Sequence, residues 1–108
     1  MPIENLEVID VISIDLYGNV VLTISDDLKW DDSSKHLSLL QDKVNAYLNS
    51  ITNGFLYANY PNAKGRNIVI NIAAKYEPDI NAKMFLNKLE EILSSSGYGF
   101  NFSLLKKT

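Results

Sequence analysis

A chain of 108 residues, 46% apolar and 21% charged, has the size and make-up of one globular domain. It has no cysteine, which excludes disulfides and thiolate metal sites and fits a reducing, cytoplasmic setting. Thirteen acidic against ten basic side chains leave a net charge of −3, which argues against non-specific nucleic-acid binding. The opening MPIENLEVID lacks the basic-then-apolar plan of a signal peptide, and no apolar run approaches the roughly 20 residues of a membrane span.

Val8–Asp15 is rich in β-branched residues and runs into the turn signal Tyr17-Gly18-Asn19. Val20–Ser25 then alternates Val20, Leu22 and Ile24 with Val21, Thr23 and Ser25, the pattern of a half-buried strand. A hairpin closed at Gly18 and Asn19 is predicted, because both residue types tolerate positive φ.

From Asp32 the period lengthens. Leu37, Leu40, Val44, Tyr47, Leu48 and Ile51 recur at three- and four-residue spacings, giving one apolar stripe on a helix that Asn53-Gly54 ends. Asp32, Ser33 or Ser34 can cap it, and the nearby aspartates suit its positive end. Phe55–Tyr60 reads as a short helical turn, and residues 61–66 as a polar connection. Asn67–Tyr76 is a third strand, broken by Glu77-Pro78-Asp79. Ala82, Phe85, Leu86, Leu89, Ile92 and Leu93 mark a second amphipathic helix, ended by Gly97. Phe100, Phe102 and Leu104 alternate with Asn101 and Ser103 in a last strand, followed by a charged tail at residues 106–108 expected to fray.

Residues 1–108 therefore read as one α+β domain ordered strand, strand, helix, strand, helix, strand. Each helix has a single apolar stripe, so the expected architecture is a two-layer sandwich: a four-stranded mixed sheet with both helices on one face. The first strand is expected in the middle of that sheet, flanked by its turn partner and the third strand.

Two regions carry candidate function. The first is the acidic loop Asp26, Asp27, Asp31 and Asp32, with Trp30 between the pairs and His36 one turn beyond. Carboxylates in a loop can hold a hard divalent cation, but the spacing is not that of a calcium loop, and no second histidine or thiol serves a transition metal. His36 could act as a base oriented by Asp32, yet Ser33 and Ser34 sit on no nucleophile elbow, and a histidine in a first helical turn is ordinarily a surface residue. The alternative is structural: helix caps and a tryptophan anchoring the loop to the core. No catalytic residue, metal ligand or cofactor is assigned.

The second region is the sheet face away from the helices, where Ile9, Val11, Val21, Val69 and Ala73 fall on the alternate phase. Scattered aliphatics on a solvated sheet are ordinary; together they also suit a protein partner or a second copy of the chain. Asn62-Ala63-Lys64-Gly65-Arg66 has the composition of a phosphate loop without its pattern and leads into a strand. Lys64, Arg66 and Lys75 with nearby aromatics would be the nucleic-acid reading, which the acidic balance disfavours. Tyr57 and Tyr60 are candidates to line a cleft beside Trp30.

Leu22-Thr23-Ile24-Ser25-Asp26 followed by Leu28 and Trp30, with Tyr60-Pro61-Asn62-Ala63-Lys64-Gly65 later, resembles a family of small uncharacterised bacterial proteins, a domain of unknown function. The resemblance spans nearly the whole chain. It implies a bacterial, cytosolic α+β domain with no established activity, substrate or cofactor. The expected function is a non-enzymatic protein-interaction module, an adaptor or immunity-like domain. The alternative is a small-molecule or divalent-metal binding domain using the Asp26–Asp32 loop and His36.

Overall fold

The computed structural model describes residues 11–30 and 33–104. Its elements are β1 (Val11–Ile14), β2 (Val20–Asp26), α1 (Ser33–Thr52), α2 (Phe55–Asn59), a 3-10 turn (Pro61–Ala63), β3 (Ile68–Ala74), α3 (Ile80–Ser95) and β4 (Gly99–Leu104). The expectations placed on Val8–Asp10, Asp31, Asp32 and the tail at 106–108 lie outside the described residues.

The strand order is β1-β2-β3-β4, with β1 antiparallel to β2 and the other two pairings parallel. This is the expected four-stranded mixed sheet with one correction: β1 lies at an edge, not in the middle. The physical reason is visible in the burial. β2 and β3 each bury every second residue, from Val20 to Asp26 and from Ile68 to Ala74, as strands flanked on both sides do. β1 leaves Val11 and Ile14 about half exposed and is tied to β2 by the short loop 15–19. The crossover through α1 and α2 then sets β3 on the free side of β2.

Register puts Val20, Leu22 and Ile24 beside Ile68, Ile70 and Ile72 on one face. Leu40, Val44, Tyr47 and Ile51 of α1 and Leu86, Leu89 and Leu93 of α3 join them in a single core. The two long helices thus cover one face, as their stripes require. Burying such a side chain contributes about 1.5–3 kcal/mol, so this shared cluster dominates the stability of the fold.

Local chemistry sets the boundaries. In the β1–β2 loop, the Asp15 carboxylate accepts from the backbone N–H of Tyr17 and Asn19, both at 2.9 Å. Gly18 supplies the positive φ of 83° that this turn needs. At the end of α1, Gly54 takes the left-handed conformation (φ 85°), while Asn53 does not. Asp79 caps α3 by accepting from Ala82 N at 2.8 Å. The connection after α2 is less polar than its composition suggests, because its 3-10 turn buries Ala63.

Candidate functional site

Asp26 continues the inward phase of Val20, Leu22 and Ile24, so the last side chain of β2 points under the helices and is 1% exposed. Its backbone carbonyl still accepts from Lys75 N at 2.9 Å. Its carboxylate Oδ1 accepts from Leu28 N at 3.1 Å, turning the chain out of the sheet. Lys29 and Trp30 follow, and α1 brings His36 back over the strand end.

There the groups meet. His36 Nε2 lies 2.5 Å from Asp26 Oδ2, and both side chains are closed to solvent. His36 Nδ1 donates to the Lys29 carbonyl at 3.2 Å, because a carbonyl oxygen can only accept. One proton therefore bridges Nε2 and Oδ2. The Trp30 indole stacks on the imidazole with ring centroids 3.6 Å apart and planes at 17°. Trp30 Nε1 donates to the Tyr76 carbonyl at 3.2 Å, which ties the loop to the chain just beyond β3. Outside this, Lys29 Nζ and Lys75 Nζ stand 5.9 and 5.6 Å from the Tyr76 ring centroid, at the limit of cation–π contact.

Burial raises the Asp26 carboxyl above its ordinary value of 3.8; the His36 contact and the Leu28 N–H pull the other way without cancelling it. The arrangement is a closed clamp. A general base needs a free nitrogen within reach of a substrate, and both nitrogens of His36 are occupied beneath the indole.

The structure therefore brings Asp26, Trp30 and His36 together, and leaves Asp27 exposed. One expectation about His36 is corrected: it is 2% exposed instead of a surface residue. Its described carboxylate partner is Asp26, ten residues back, while Asp32 lies outside the described residues. The reason is tertiary: the crossover folds the first turn of α1 onto the strand end, where a lone imidazole can satisfy a buried carboxyl. Lys43 was no candidate in the sequence, yet it is fully buried, with Nζ 5.4 Å from the Tyr47 ring centroid. Its i, i+4 spacing to Tyr47 was the available signal.

On the open sheet face, register aligns Val21 with Val69 and places Val11 opposite Thr23. Val11 is 47% exposed, Val21 and Val69 are half-buried and Ala73 is buried; Ile9 lies outside the described residues. A polar row crosses the same face. Asn101 Nδ2 donates to Asn71 Oδ1 at 2.9 Å, and Asn71 Nδ2 to Thr23 Oγ1 at 3.3 Å.

The basic turn does structural work. Arg66 donates from Nε to the Asn62 carbonyl at 2.8 Å and from Nη1 to the Gly18 carbonyl at 3.1 Å, tying this turn to the β1–β2 loop. Lys64 and Arg66 precede β3 and Lys75 follows it, so a strand length of roughly 23 Å separates them. Tyr60 lines a cleft of about 520 Å³ with Ile12, Ile14, Val20, Pro61 and Ala63, not one beside Trp30. Tyr57 packs against the core.

Among the described residues, no three His, Cys, Asp or Glu side chains group as metal ligands, and no helix is long and apolar enough to cross a membrane. No curated protein and no solved structure matches the chain. The sequence pattern of a family of unknown function, DUF6572, matches residues 1–106, and the chain belongs to that family.

Proposed function

We propose that this chain is a non-enzymatic protein-interaction domain, an adaptor or immunity-like module of a bacterial cytoplasm, that engages a partner protein through the open sheet face. The observation that carries this reading is the asymmetry of the sheet. One face is sealed by α1 and α3, while the other sets Val11, Val21 and Val69 around the Thr23–Asn71–Asn101 row with no helix over it among the described residues. Apolar groups around an ordered polar centre suit a protein surface, which fills the aliphatic patches and exchanges hydrogen bonds with the amides.

The metal-binding and small-molecule alternative loses support from the same geometry. A cation at Asp26 or His36 would have to break their mutual contact and the Lys29 bond beneath a stacked indole. Calorimetry with Mg²⁺, Mn²⁺ and Zn²⁺ should give no site-specific heat. Saturable heat that disappears in His36→Gln would restore the alternative.

The decisive test is position-specific photocrosslinking in the native host. A photoreactive residue at Val21 or Val69 should capture one defined protein that the same residue at exposed Glu91 of α3 does not. Indistinguishable capture from the sheet face and α3 would overturn the reading.

A further inference from the structure

β4 is an edge of the sheet: β3 hydrogen-bonds one side, and no described strand pairs the other. Proteins usually blunt such an edge with charges, proline or a bulge. Gly99-Phe100-Asn101-Phe102-Ser103-Leu104 carries no charge and no proline, and its register with β3 runs unbroken from Gly99 to Leu104. Among the described residues no strand takes the far side of β4.

Three features say which strand. The first is the amide row on the open face. Asn101 uses one of its two amide hydrogens on Asn71, and its remaining N–H and carbonyl oxygen have no partner among the described residues. A primary amide with one donor and one acceptor left over is self-complementary: two of them close a reciprocal pair. The second is the aromatic spacing. Phe100 and Phe102 flank Asn101 on the core face, half-buried above a cleft of about 420 Å³ shared with Leu86 and Leu104. In an antiparallel pair centred on Asn101, each phenylalanine faces the other one of a second copy.

The third feature is charge. A cleft of about 650 Å³ at the Tyr98 end of β4 is lined by Glu90 and Glu91 of α3. The residues following Leu104 in sequence are Leu105-Lys106-Lys107-Thr108, a cationic run. An antiparallel partner strand brings its own Leu104 to that acidic end.

We propose that β4 pairs antiparallel with β4 of a second copy about a two-fold axis through Asn101, joining the two sheets into one. Asn101 meets the partner's Asn101, Phe100 meets the partner's Phe102, and the partner's Leu104 comes opposite Tyr98, at the end where Glu90 and Glu91 stand. The contact is isologous and closes on itself. It uses the sheet edge, so it is separate from the open-face partner proposed above, and it sets two such faces side by side.

The cysteine-free sequence makes the test direct. Residues directly opposite in an antiparallel pair have Cα atoms about 4.5–5.5 Å apart, within the reach of a disulfide. Under mild glutathione oxidation, Asn101→Cys should form a covalent dimer at least about tenfold faster than Thr52→Cys, an exposed control on α1. Wild-type protein should show a concentration-dependent dimer in sedimentation equilibrium. Lys106→Glu with Lys107→Glu should weaken it about tenfold, and adding Glu90→Lys with Glu91→Lys should restore it. Restoration by the reversed pair separates a charge effect from a folding defect.

A strict monomer at high micromolar concentration, or cross-linking of Asn101→Cys no faster than the control, overturns the proposal. So does efficient cross-linking of Val21→Cys with none at Asn101→Cys, which would place self-association on the open face and leave the interaction reading intact.

Discussion

Asp26 and His36 carry the most consequential contact at the level of single residues. Removing one member of a buried, hydrogen-bonded pair leaves the other unsatisfied in low dielectric. His36→Ala should therefore destabilise the protein by about 3 kcal/mol in urea unfolding, with the Trp30 emission shifted toward that of a solvated indole. A variant within a few tenths of wild type would show that the clamp contributes little. The pH dependence has an unusual sign. A carboxyl raised in the folded state binds more protons there than in the unfolded chain, so its contribution to stability falls as pH rises from 3.8 through the raised value. Asp26→Asn should lack that decline, so the variant's unfolding free energy should rise relative to that of wild type over this range. Asp15 behaves oppositely. Asn19, followed by Tyr17 and Gly18, lowers its carboxyl through hydrogen bonds, so its contribution is present above 3.8 and is lost as pH falls through the lowered value. Asp15→Ala should remove part of the acid-side loss of stability.

Among the elements, single hydrogen bonds fasten neighbours that the apolar stripes already bring together. Tyr47, buried in α1, donates from its hydroxyl to the Thr23 carbonyl of β2 at 3.0 Å. Tyr47→Phe keeps the packing and leaves that carbonyl short of a partner, which should cost about 1 kcal/mol by denaturant unfolding. Trp30→Phe keeps an aromatic face for His36 but loses the donation to Tyr76, and should loosen residues 27–30 without unfolding β2. Amide exchange should accelerate at Leu28 and stay slow at Leu22 and Ile24; acceleration through the strand would make the loop part of the core. Most elements were legible in the sequence because period and punctuation are local. Val20–Asp26 alternates, α1 and α3 carry single stripes, and glycine or proline stands at the breaks. The position of β1 was not legible, since a hairpin signal names a neighbour and says nothing of which strand takes the other side.

At the scale of the whole molecule, one core joins both long helices to β2 and β3, so unfolding should be a single cooperative transition by fluorescence and circular dichroism alike. Ile24→Ala, at its fully buried centre, should lower stability by about 3 kcal/mol and move both signals together. Separate transitions would mean that α3 and β4 form an independent unit. The sequence by itself determined the α+β class and the sandwich, because hydrophobic period and turn chemistry are written along the chain, and its pattern over residues 1–106 is that of a family of unknown function. It also placed Asp26, Trp30 and His36 in one region. Tertiary structure alone decided that these three close into a buried clamp, that Lys43 lies inside, and that β4 ends the sheet of described strands. Those outcomes depend on which segments a crossover lays against one another. Burial and pairing between distant residues are properties of that arrangement, and no local spacing encodes them.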